Sequence, residues 1–177
     1  MTRSDQHAPG KNLGQGMLIT TFALGLAALT FVFDGWIGRQ ANPNQQPVVS
    51  ELSNGTREVV LQRNRQGHYV AGGFVNGLPV TFLLDTGATD VAIPESVARE
   101  AGLQAEYAGR ANTAGGVVTV YATRIDRLGI GNIELRDVAA SITPTMGGNT
   151  ILLGMSALRQ IEFSQRGSTL TLRQVQD

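Results

Sequence analysis

Hydrophobic positions follow two regimes along this chain. From Asn12 to Phe33 no charged residue occurs, and Met17–Phe33 (MLITTFALGLAALTFVF) is apolar almost throughout. The run is apolar on every face rather than along one stripe, which argues against the core helix of a globular domain. A hydrocarbon core of ~30 Å takes roughly 20 helical residues. The run supplies them, and Trp36 just beyond is placed like an interfacial aromatic. Residues 17–37 are therefore predicted to form a transmembrane helix behind a short N-terminal tail, residues 1–16. A cleaved signal peptide fits less well: its apolar core would be shorter, and Arg39 interrupts the best Ala-x-Ala-like site at Gly38–Ala41. Arg3, Lys11 and the terminal amine precede the span, with Arg39 alone shortly after it, so the positive-inside rule favours a cytoplasmic N-terminus and an exported remainder.

After the span, residues 38–56 are rich in Asn, Gln, Pro and Ser without an apolar period, and read as a linker. The pattern then changes to short apolar runs punctuated by turns, residues 57–177. Strands are predicted at Glu58–Gln62, His68–Val75, Leu78–Leu84, Thr89–Ile93, Thr113–Ile125, Ile133–Ile142, Thr150–Leu153 and Ser168–Val175. Asn76-Gly77 is a strong hairpin signal, because both positions tolerate positive φ. Pro94, then Glu95–Ala101, then Gly102 carries the start and stop chemistry of a helix, and Ser156–Gln160 can hold another short one. The expected architecture is mainly β, closed or barrel-like, with one or two small helices. No βαβ repeat occurs, and no glycine-rich loop follows a strand and opens a helix.

Composition removes whole classes of chemistry. The chain has no cysteine and only two histidines, His7 in the polar tail and His68 before an apolar run. A disulfide, a thiolate nucleophile, a His-rich metal site and a Ser-His-Asp triad are each deprived of their parts. No metal or cofactor is expected. Formal net charge is zero with basic residues scattered, so no nucleic-acid footprint is expected. Carboxylate chemistry survives.

Its strongest bearer is FLLDTGATDVAIP, Phe82–Pro94. Asp85 closes an apolar strand, where a carboxylate is costly unless it is hydrogen-bonded or takes up a proton. Gly87 permits a tight turn and close approach; Thr86 and Thr89 supply hydroxyls, and Ala88 is small. An Asp that merely ends a strand and caps a turn would leave the same local trace. Downstream, Ile151-Leu152-Leu153-Gly154 repeats the theme of an apolar strand ending in Gly before a short helix.

Together these two segments resemble the markers of retropepsin-like (retroviral-type) aspartic proteases, and are most similar to bacterial membrane-anchored members in which a Leu-Leu-Gly-Met-Ser run follows an N-terminal span. The resemblance covers about Arg57–Arg173. It implies an acid-protease fold, peptide or protein substrates, and Asp85 as the catalytic carboxylate supported by Thr86, Gly87, Ala88 and Thr89. It also implies a flap hairpin within Ala111–Tyr121, with Thr113, Ala114, Gly115, Gly116 and Val117 at the mobile end. Only one Asp-Thr-Gly is present; Asp90, Asp126 and Asp137 lack the turn chemistry. Aspartic proteolysis needs two carboxylates, so a homodimer is expected; the resemblance further implies that Thr86 bonds across the axis. A single-pass protein of the inner membrane, its C-terminal domain in the periplasm, is the implied setting. Two departures stand out: Met155 and Ser156 follow Gly154 where retroviral members often carry an Arg, and the N-terminal side of the domain is tied to a linker while Ser168–Val175 alone remains to join a shared terminal sheet. Two other readings stay open: a membrane-tethered β domain that binds peptides or proteins without cutting them, and a structural protein in which Asp85 only caps its turn.

Overall fold

The apolar run forms one helix, α1 (Lys11–Ala41). In this computed structural model, which describes residues 11–113 and 115–175, α1 leaves Leu18, Phe22, Leu24 and Phe31 between 66% and 86% exposed. Surface of that kind is unfavourable in water and favourable in hydrocarbon. The hydroxyls of Thr20, Thr21 and Thr30 donate to the carbonyls of Gly16, Met17 and Leu26, one turn earlier. Each of these three hydroxyls is thereby satisfied inside the helix, as a lipid environment demands. The stretch Gly14–Ala41, 28 residues, is long and apolar enough to cross a membrane. Tail residues Arg3 and His7, and Ala114 of the expected flap, lie outside the described residues.

The chain divides into two units between Gly38 and Arg39. The second begins with β1 (Val48–Glu51), β2 (Arg57–Gln62), β3 (Val70–Val75), β4 (Leu78–Leu84) and β5 (Val91–Pro94). Helix α2 (Glu95–Glu100), β6 (Ala108–Thr113), β7 (Gly116–Ile130) and β8 (Ile133–Thr143) follow. The chain closes with β9 (Thr150–Leu153), α3 (Met155–Leu158), β10 (Glu162–Arg166) and β11 (Thr169–Gln174).

Local chemistry accounts for several of these boundaries. Between β3 and β4, Asn76 (φ 50°) and Gly77 (φ 88°) make the two-residue turn their sequence predicts. The Asn76 carboxamide then accepts from Arg127 N at 3.0 Å, pinning the hairpin to β7. Pro94, at φ −58°, precedes α2, and Gly102, at φ +70°, ends it.

Seven strands form one sheet in the order β3-β4-β9-β5-β8-β7-β6, and β3 also reaches β7 through Phe74–Gly129 and Val75–Leu128. The sheet thus curls round in the barrel-like manner expected, without being a strict barrel. Two seams are thin: β5 meets β9 at Ala92–Leu152 alone, and β3 meets β7 at two register pairs. Glycine makes the second seam possible, since a Cβ on Gly73 would strike Gly129 O and one on Gly129 would enter the Phe74 ring. Phe82, Val91, Ile93, Ile125, Ile151 and Val138 are fully buried inside the curl. A second, four-stranded antiparallel sheet runs β1-β2-β11-β10. Because β2 and β10 occupy both edges of β11, this strand is closed to a partner chain, contrary to the role open to Ser168–Val175 in sequence.

The expected linker, residues 38–56, is not a free tether through its length. Val48–Glu51 pairs with Arg57–Val60, and Asn44 is only 3% exposed. The Asn44 amide nitrogen donates to Gln62 O (2.9 Å) and Val70 O (2.7 Å), and its oxygen accepts from Gln62 N (2.7 Å). One polar side chain therefore closes the gap between β2 and β3, which is why a polar composition here does not mean disengagement. Asn44→Ala leaves those three backbone groups without protein partners and should lower unfolding stability by about 2–3 kcal/mol in urea titration. A loss under about 0.5 kcal/mol would mean that water replaces the amide.

Candidate active site

Asp85 emerges where β4 runs parallel to β9 in the register Thr81–Thr150 through Leu84–Leu153. The ladder continues one step past β4, with Asp85 N donating to Leu153 O at 3.1 Å. The chain then turns sharply: Ala88 N donates to Asp85 O at 3.2 Å, and Gly87 N donates to the Asp85 carboxylate Oδ1 at 2.9 Å. A Cβ on Gly87 would stand 3.2 Å from that oxygen, tighter than a relaxed contact. The turn thus fixes one carboxylate oxygen by a backbone N–H, and no bond to the other occurs among the described residues. Asp85 and Ala88 are half-buried, while Thr86, Gly87 and Thr89 are exposed. Charge-assisted bonding through a backbone donor orients a carboxylate without neutralising it.

The second marker lies directly beneath. Ile151 and Leu153 point into the core, and Leu152 is half-buried. Gly154 passes so close to the Asp85 loop that a Cβ there would strike Asp90 O and lie 2.8 Å from Ala88 O. Met155 N donates to Ala88 O (2.8 Å) and Ser156 N to Thr89 O (2.9 Å). The buried Ser156 hydroxyl donates to Ala139 O (2.7 Å) and accepts from Val91 N (3.0 Å), joining α3, β8 and β5. Ser156 was not among the expected site residues; its trace in sequence is a small polar residue just after the hydrophobic-Gly segment. Arg159, further on, donates from Nε to Met155 O at 3.1 Å and forms no ion pair among the described residues. Hydrogen bonds to backbone therefore stand at the place where retroviral members often carry an Arg.

The expected flap is a hairpin of β6 and β7 whose last register pair is Thr113–Gly116. Gly115 lies in the turn, Gly116 takes φ +111°, and the Thr113 hydroxyl donates to Gly116 O at 2.8 Å. Val117 is 55% exposed and projects from a hairpin end with little packed against it. Asp85 and residues 151–154 are brought together, whereas no hydrogen bond links the hairpin end to either among the described residues. Asp137 is engaged on the surface with Arg124 at 3.0 Å. A groove of about 390 Å³ opens elsewhere, between the Asn42–Gln45 segment, β3 and β4, and Asp85 does not line it.

The curled, mainly β sheet that brings the Asp-Thr-Gly turn onto the hydrophobic-Gly strand has a retropepsin-like fold. A retropepsin-like aspartic protease from Rickettsia conorii superposes with a TM-score of 0.60 at 25% identity, over 73% of this chain and 96% of that one. Residues 71–160 match the family described as "gag-polyprotein putative aspartyl protease", and the chain belongs to that family. The EIAV protease complexed with the inhibitor HBY-793 gives a TM-score of 0.47 at 18% identity, over 56% of this chain and 92% of that one. Among curated proteins, an uncharacterised protein in the cobV 5′ region of a Sinorhizobium species is 30% identical over 135 residues. That match takes in 74% of this chain but only 58% of the relative's length.

Removing the Ser156 hydroxyl leaves Val91 N and Ala139 O unpartnered. Ser156→Ala should cost about 1–3 kcal/mol of stability. Gly154→Ala, which forces the Asp85 loop to move, should cost more, and the two are compared by urea unfolding. Equal or smaller loss in Gly154→Ala would show that the loop yields freely.

Proposed function

We propose that this chain is an aspartic endopeptidase that works as a homodimer, each copy contributing Asp85. The observation that carries the reading is the single Asp-Thr-Gly turn stacked on Gly154, in a chain belonging to an aspartyl protease family. Two copies related by a two-fold axis would face Asp85 with its own symmetry mate. Carboxylates about 3 Å apart cannot both ionise, so the pair shares a proton. One carboxylate takes a proton from the water between them as that water attacks the peptide carbonyl. The protonated partner donates to the carbonyl oxygen, and the proton passes on to the leaving nitrogen as the C–N bond breaks. Thr86, exposed beside Asp85, is suited to bond across the axis, and Gly87 to line the substrate cleft. The hairpin end at Thr113–Val117, including Ala114, serves as the flap that expels water and strengthens these interactions.

In this reading α1 is a membrane anchor. The basic residues Arg3 and Lys11 at its N-terminal end support, by the positive-inside rule, a reading in which the protease domain faces the periplasm from a bacterial inner membrane. A competing reading, a peptide-binding domain without catalysis, draws on the presence of one catalytic-type Asp per chain; it holds if the chain stays monomeric.

The test incubates full-length protein and Asp85→Asn, in detergent micelles, with a diverse peptide mixture from acidic to neutral pH, followed by mass spectrometry. Cleavage by wild type should be strongest on the acidic side, where the pair holds its shared proton. Asp85→Asn should lose at least about two to four orders of magnitude in rate. Cleavage retained by Asp85→Asn refutes the proposal.

A further inference from the structure

The four-stranded sheet carries its acidic residues toward one end, and its other end is where the chain passes to the apolar helix. At that end the Arg65 guanidinium donates to the Gln40 side chain at 2.8 Å, and the Asn64 amide donates to Ala41 O at 3.0 Å. Arg39 adjoins Gln40 in sequence. Arg63 N donates to Ser168 O at 2.8 Å, which brings in the β10–β11 turn, and Arg166 stands opposite Thr169 across that turn. Arg39, Arg63, Arg65 and Arg166 are all exposed and form no ion pair among the described residues. Residues 39–50, 59–72 and 163–175 contain no Asp or Glu. The acidic residues of this sheet lie toward its other end, where Glu58 pairs with Arg173 at 2.7 Å and Glu51 lies opposite Arg57.

We propose that Arg39, Arg63, Arg65 and Arg166 form a docking surface for the anionic phospholipid headgroups of the membrane that α1 enters. The proposal rests on the reading of α1 as a span. A chain held within a few residues of a bilayer brings its first folded surface to the headgroups, and guanidinium groups bind phosphate as planar, paired donors. Four unpaired arginines at that surface make the contact favourable, each multiplying the docked population by about fivefold. The Asn44 clamp and the Asn64–Ala41 bond tie residues 41–44 to the sheet, so docking would limit the directions in which the domain presents its cleft.

The test reconstitutes the full chain into nanodiscs of phosphatidylcholine alone or with ~30% phosphatidylglycerol. Amide hydrogen exchange is then followed over residues 62–68 and 165–169, with β8 as internal reference. Anionic lipid should slow exchange in those two segments at least about threefold, and about 0.5 M salt should abolish the difference. The triple variant Arg63→Gln, Arg65→Gln, Arg166→Gln should lose the slowing while β8 exchanges as before. Equal exchange in the two lipid compositions, or slowing that survives in the triple variant, overturns docking. Alkaline carbonate separates the two claims: chain washed out of the discs would remove the span and the docking with it, whereas chain retained with equal exchange removes docking alone.

Discussion

The parallel pairing of β4 with β9 is the constraint from which the rest of the site follows. It sets Asp85 beside Leu153 through one backbone bond and delivers Gly154 to the underside of the Asp85 turn. A side chain at residue 154 would occupy the space of Asp90 and Ala88 carbonyls, so glycine there is a steric requirement. Buried Phe82 and Ile151 hold the two strands from the core side. The carboxylate can then remain half-buried with one oxygen bonded and the other open, a state that isolated burial would penalise. One backbone donor, Gly87 N, does the orienting, and no cation pairs with the carboxylate among the described residues.

Parts of this were legible in sequence because they depend on local chemistry. Asn76-Gly77, Pro94 with Gly102, and the four residues of β9 stand where propensity puts them. What escaped depends on partners distant in the chain. Strand β10, EFSQR, is exposed at every position and shows no apolar alternation, yet it is held by five register pairs with β11. Strand β1 is likewise exposed throughout and hidden in a polar stretch. Asn44 reads as loop composition until its amide is seen bridging Gln62 and Val70. Gly129 lies inside β7, which runs on to Ile130, and its missing side chain leaves the space that the Phe74 ring fills, a distant requirement that the local sequence does not show.

The Asp85 turn and the hydrophobic-Gly strand were legible for a different reason: each is a short motif whose spacing the chemistry dictates. The clamp around them was not. Ser156 ties three elements with one hydroxyl, and only the folded arrangement of Val91 and Ala139 reveals it. The terminal strands carry a further lesson. Here they pair within one chain, β11 between β2 and β10, so any dimer must rest on other surfaces than a shared sheet built on β11.

The central claim is that two Asp85 carboxylates from two copies make one active site, and subunit mixing tests it most directly. Wild type and Asp85→Asn are co-reconstituted at constant total protein with varying ratio, allowed to exchange, and assayed for peptide cleavage. If both carboxylates are needed, activity falls as the square of the wild-type fraction, because every mixed dimer is inactive. Activity that falls in simple proportion to the wild-type fraction would mean that one copy of Asp85 suffices, and would contradict the account.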